Sequence, residues 1–124
     1  MARVEKEKIL DSVIYVKKEM PEVFYREEIL DGEPVSLIYD AVKKEMYHLK
    51  GNSGKIWKLI DGKRTLRMIS RELKTMTGAR DEKILMKDVI TLVVKLGRLQ
   101  LIQFAYAQGS NKENSYDAME EISR

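Results

Sequence analysis

Residues 49–66, Leu-Lys-Gly-Asn-Ser-Gly-Lys-Ile-Trp-Lys-Leu-Ile-Asp-Gly-Lys-Arg-Thr-Leu, leave the chain few ways to fold. Ile56, Leu59 and Ile60 recur at helical spacing, and the Asp61-Gly62 pair supplies a left-handed stop that glycine adopts without a Cβ clash. Thr65 is then placed to cap a second helix through its hydroxyl. A helix of about two turns is marginal in water, so neighbouring elements must hold it by packing. The segment therefore reads as a strand end, a short helix, a stop and the start of another helix, all within one core.

At 124 residues the chain has room for one domain with appendages. No apolar run approaches the roughly 20 residues needed to span a membrane. The chain has no cysteine, which removes disulfides, thiol nucleophiles and thiolate metal sites. The first residues lack the apolar stretch of a secretory signal, and a cytoplasmic location is the expectation.

The flanking segments extend this pattern. In residues 5–20, Ile9, Leu10, Val13, Ile14 and Val16 form a broad helical stripe that Pro21 ends, giving an N-terminal amphipathic helix over 1–20; Val13-Ile14-Tyr15-Val16 also satisfies a strand. Residues 22–30 and 35–40 flank Asp31-Gly32, a pair suited to positive backbone angles, and read as a hairpin. Met46-Tyr47-His48-Leu49 adds a third strand. Helices follow over about 53–60, 66–77 and 82–98, the last capped by Asp81 and carrying Leu85, Val89, Leu92, Val93 and Leu96 as its stripe. Leu101–Tyr106 alternates as a returning strand, and residues 107–124 are too polar to pack, reading as a mobile tail. The fold class is α+β: a three-stranded antiparallel sheet followed by three helices, with winged helix-turn-helix topology over 21–106 and an extra N-terminal helix.

Taken together, Pro21-Glu22-Val23, the Asp31-Gly32 hairpin, Leu49, the run Ile56-Trp57-Lys58-Leu59-Ile60-Asp61-Gly62-Lys63-Arg64-Thr65, Asp88-Val89 and the closing Leu101-Ile102 pair resemble the PqqD family over about residues 21–104. Two positions depart from the family pattern: Lys50 stands where Asn is favoured, and Gln100 where Gly is favoured. Asn52 or Ser53 would then cap the first helix in place of that Asn.

The resemblance implies a peptide-binding chaperone, or RiPP recognition element, which captures the leader of a ribosomally made precursor peptide and presents it to a modifying enzyme. In the founding system that enzyme is a radical S-adenosylmethionine protein and the product is pyrroloquinoline quinone. The recognition domain itself performs no chemistry and needs no cofactor. The implied mode is strand addition, in which an extended guest pairs with an open sheet edge while alternate side chains enter a groove beside it. Carried onto this sequence, the leader would lie against Met46, Tyr47, His48 and Leu49 of the third strand and against Lys87, Ile90, Thr91 and Val94 of the third helix. The residues themselves also allow Ile90 and Val94 to be core.

Trp57 reads as a core anchor, because burying its large ring requires only one partner for the indole N–H. His48 has no second His or Cys near it to complete a metal site. No phosphate loop, no nucleophile with a His partner and no spaced carboxylate pair points to an enzyme. Residues 50–80 carry nine Lys or Arg against Asp61 and Glu72, a local +7, whereas residues 1–34 sum to −3 and 107–124 to −2. Lys50, Lys55, Lys58 and Lys63 suit the steering of an acidic peptide. The same field supports an alternative, a winged-helix DNA-binding protein using Arg64, Arg67, Arg71, Lys74 and Arg80 on phosphates. The apolar face of the third helix suits a peptide better than a DNA groove. A third reading is a homodimer packed through the N-terminal helix.

Overall fold

The computed structural model describes residues 10, 11 and 13–106. The polar tail expected over 107–124 lies outside the described residues, as do residues 1–9 of the expected N-terminal helix. Asp31 and Gly32 both take positive φ, 52° and 80°, the geometry of a two-residue turn whose twist matches its strands. That turn joins β2 (Val23–Leu30) to β3 (Glu33–Asp40), and β4 (Glu45–Lys50) pairs with β3 on the other side, so the antiparallel order is β2-β3-β4. Asp40 shapes the β3–β4 turn: its Oδ1 accepts the N–H groups of Val42 and Lys43, each at 3.0 Å.

Three helices follow, α1 (Asn52–Leu59), α2 (Leu66–Thr77) and α3 (Glu82–Arg98). Thr65 caps α2 through its hydroxyl, which accepts the Met68 N–H, and Gly78 closes it in the left-handed conformation. Asp81 caps α3 by accepting from Lys83 and Ile84. The expected bounds of α2 and α3 coincide with the observed ones. At the start of α1, however, neither Asn52 nor Ser53 supplies the expected cap. The N-cap position is Gly51 at φ 58°, and no side chain caps the helix.

A correction concerns the N-terminal segment. Leu10 and Asp11 are helical, but the helix expected to run on to residue 20 gives way to a strand, β1 (Ile14–Lys17), which pairs antiparallel with β5 (Ile102–Tyr106) in a second, two-stranded sheet. The run Ile14-Tyr15-Val16 is β-branched and aromatic and suits a strand once a partner exists, and that partner arrives only at residue 102. Leu10, Val13 and Tyr15 are buried in the same cluster as Ile38, Trp57, Leu73 and Val93.

Two close fits hold these layers in register. At Gly54 of α1 an added Cβ would sit 2.9 Å from the Leu49 carbonyl oxygen, so α1 reaches β4 only because this residue has no side chain. At the end of α3, Gln100 takes φ 62°. Its N–H reaches Gly97 O and the Leu101 N–H reaches Leu96 O, each at 3.0 Å. These two bonds form a Schellman closure, with Gln100 at the position where glycine is the usual occupant. Leu96 and Leu101, both buried, supply the accompanying apolar contact.

Gln100→Gly is therefore expected to stabilise the fold by about 1 kcal/mol, removing left-handed strain at some cost in chain entropy. Gly54→Ala is expected to destabilise it by about 1 kcal/mol, since overpacking against backbone outweighs the gain in helix propensity. Urea unfolding midpoints at constant slope measure both changes, and opposite signs would refute the packing account.

Candidate functional site at the open sheet edge

The sheet order leaves β4 at one edge, and among the described residues nothing pairs with its outer side. Its alternation is set by the register Leu37↔His48, Ile38↔Tyr47, Tyr39↔Met46. Tyr47 and Leu49 thus share the face of buried Ile38 and Ser36, while Met46 and His48 lie on the opposite face with Leu37 and Tyr39. Met46 is 54% exposed, Tyr47 is half-buried, His48 is exposed and Leu49 is only 7% exposed. The expected strand residues therefore divide into two that present side chains outward and two that anchor the edge to the core.

The α3 residues divide similarly. Lys87 and Thr91 are exposed, whereas Ile90 and Val94 are 1% and 7% exposed and pack in the core. Helical geometry separates the pairs: 87 and 91 lie on one stripe and 90 and 94 on the next. The first stripe is the solvent-exposed one.

Between β4, the start of α1 and α3 runs an open groove of about 380 Å³. Lys87 and Thr91 line it, joined by Lys50, Ile56, Leu92 and Lys95. Buried Ile56 and Leu92 form an apolar floor, and the three exposed lysines stand around it. Asn52 and Ser53 lie at the same place, where α1 begins with neither a side-chain cap nor an acid in its first turn. Sequence reasoning did not single out Lys95, Ile56 or Leu92 as groove residues. The spacing of Lys87, Thr91 and Lys95 at i, i+4 and i+8 was the available signal.

Many of the cations in the basic middle are already engaged. Arg64 pairs with Asp61 at 2.7 Å, Arg67 with Asp11 at 2.7 Å and Lys74 with Glu82 at 2.9 Å. Lys58 pairs with Glu27. The Lys74 ammonium holds the Glu82 carboxyl below its ordinary range. Trp57 is buried, with Tyr25 edge-on at 5.3 Å, and the Lys17 ammonium stands 5.2 Å from the Tyr25 ring and 5.3 Å from Trp57. Burial lowers the Lys17 pKa from its ordinary value. Trp57 is thus a packing residue, as its composition and position suggest.

The family of this fold follows from comparison. Residues 36–102, more than half of the chain and spanning β3 through the start of β5, match the family model described as coenzyme PQQ synthesis protein D (PqqD). The chain belongs to the PqqD family. No curated protein and no solved structure matches it. The matched region contains β4, α1 and α3, the three elements that enclose the groove. Among the described residues no helix is long and apolar enough to cross a membrane.

One side chain on β4 gives the edge a pH signature. The Tyr47 hydroxyl donates to Glu45 Oε2 at 2.8 Å, and this bond, with smaller contributions from desolvation and nearby acids, pushes the phenol up to about 12. The folded state holds this proton more tightly than the unfolded chain. The contribution of the contact to stability is then complete below about pH 10 and is lost as pH rises through about 12. Burial and Glu19 also raise the Tyr25 phenol, so tyrosinate absorbance on alkaline titration is expected to show late titration of which Glu45→Gln returns only the Tyr47 part towards the ordinary range; an unchanged curve in that variant would exclude the contact.

Proposed function

We propose that this PqqD-family chain is a non-catalytic peptide-binding chaperone that captures the leader of a ribosomally made precursor peptide and presents it to a modifying enzyme, such as a radical S-adenosylmethionine protein. The leader adds as a strand to β4, and its side chains on the groove side meet Lys87 and Thr91 of α3. Met46 and His48 flank the guest on the outer face, while Tyr47 and Leu49 hold the edge in place. The observation that carries this reading is the unpaired outer side of β4 beside a groove walled by α3. Backbone bonds along such an edge give affinity for any extended chain, and the groove gives selectivity. The working unit is a winged-helix-like domain over 21–106 completed by β1, which pairs with β5, acting in the cytoplasm.

The pairing of Arg64, Arg67 and Lys74 with carboxylates leaves less of the helical region's charge for phosphates than the sequence alone suggests. The decisive experiment is an amide NMR titration of the full chain with each short peptide encoded beside its gene, run in parallel with a nonspecific duplex at moderate salt. Leader recognition is expected to shift amides at 45–50 and 87–95 for one peptide. Shifts along 63–80 with duplex alone would replace this reading with DNA binding.

A proline pair tests the mode. Successive residues of an edge strand turn their N–H groups alternately to the neighbour and to the free side. Of Met46→Pro and Tyr47→Pro, one is expected to lower peptide affinity at least about tenfold while the unfolding midpoint is largely kept, and the other to weaken the β3–β4 ladder itself. Full affinity in both folded variants would rule out strand addition.

A further inference from the structure

The groove beside β4 carries an uncompensated charge. Lys50 ends β4, and Lys87 and Lys95 stand two turns apart on α3. All three are exposed and line one cavity of about 380 Å³ whose single acidic member is Asp88. Among the described residues, the ammonium group of none of the three makes a hydrogen bond or an ion pair, in contrast to Lys58, Arg64, Arg67 and Lys74, each of which meets a carboxylate. Like charges gathered around a partly apolar cavity repel one another, and an anion placed between them removes that cost. The uncapped start of α1, with no acid in its first turn, adds to the field with the same sign.

We propose that the guest peptide is selected for an Asp or Glu side chain at the register position facing this groove, where its carboxylate sits among Lys50, Lys87 and Lys95 and its methylene carbons rest on Ile56 and Leu92. The inference rests on strand addition at β4 and names the chemistry that the edge alone does not specify. Backbone pairing along β4 is blind to side chains, so discrimination between extended peptides falls to what the groove accepts. A neutral amide of the same shape fills the space but leaves the lysines without a counter-charge. A lysine or arginine in the guest adds to the repulsion. Lys50 contributes most directly, because it is at once the last residue of the pairing edge and a wall of the groove.

The test uses the full chain and a phage-displayed library of short random peptides, panned against the wild-type protein and against the Lys50→Gln/Lys87→Gln/Lys95→Gln variant. Enriched peptides are synthesised and titrated by NMR against both proteins, each alongside a version with Asp→Asn or Glu→Gln. The expected result is a set of wild-type binders that shift amides at 45–50 and 87–95, share an acidic residue at one register position, and lose about fivefold in affinity on amide substitution. That loss is expected to shrink as salt rises and to be absent in the triple variant. Binders that shift the same amides with no acidic preference, or with one the triple variant keeps, overturn the charge selection and leave strand addition standing. Binders that touch neither β4 nor α3, or no binders at all, overturn both.

Discussion

The Asp61-Gly62 turn joins the parts of this molecule that the sequence keeps far apart. The Asp61 carboxylate accepts the N–H groups of Lys63 and Arg64 at 2.9 and 3.0 Å and pairs with the Arg64 guanidinium. Those bonds and the nearby cation hold its carboxyl below the ordinary range despite the opposing cost of desolvation. With the loop fixed, Gly62 turns through φ 80°, and its N–H donates to Tyr15 O at 2.9 Å. Val16 lies 3.5 Å from where a Cβ on Gly62 would stand. Ile14 bridges to Thr65, the cap of α2. One turn therefore stops α1, starts α2 and receives β1, which carries β5 and the end of α3 with it. The groove inherits its shape from this turn through α1, whose position against β4 is set at Gly54.

How much of this was legible in the sequence depended on how local each determinant was. The bounds of α2 and α3 followed from Thr65, Gly78 and Asp81, because a cap and the bond it makes lie within three or four residues of one another. The hairpin turn was equally self-contained in Asp31-Gly32. β1 was not, since Val13–Val16 fits a helical stripe as well as a strand and the deciding partner sits at residues 102–106. Asn52 and Ser53 were plausible caps by type, but Gly51 takes the cap position with positive φ, a backbone fact that composition does not reveal. Gln100, where the resemblance implies Gly, occupies the left-handed position of a helix closure, the place glycine ordinarily fills.

The candidate site divided along the same line. That β4 is an edge could be inferred from strand order alone, and Lys87 and Thr91 do border the groove. Ile90 and Val94 do not reach it, because α3 is apolar on more than one face and its buried residues include Leu85, Val89, Ile90, Leu92, Val93, Val94 and Leu96. On such a helix a stripe cannot be assigned to core or guest until its neighbours are placed. The charge asymmetry was legible as a sum but not as a distribution. Pairing removes Arg64, Arg67 and Lys74 from the free field and leaves Lys50, Lys87 and Lys95 around one cavity, an arrangement that depends on three-dimensional placement.

The sheet has two outer strands, and their chemistry differs in a way that bears on the proposed strand addition. The centre of β2 is charged: Arg26 and Glu28 pair at 2.8 Å, and Glu27 meets Lys58 of α1. A strand arriving there would have to disturb these ions, and charge in mid-strand is how natural sheets keep an edge from pairing. Each such pair adds at most about 1 kcal/mol to stability, so their value at β2 lies more in blocking association than in holding the fold. The centre of β4, Met46 to Leu49, contains no Asp, Glu, Lys or Arg; Glu45 and Lys50 stand at the two ends. An edge left uncharged along its middle accepts backbone pairing at little desolvation cost. In the proposed binding mode, Lys50, at the end nearest the groove, favours a guest whose side chain there is acidic, so that pairing and charge act on the same extended chain.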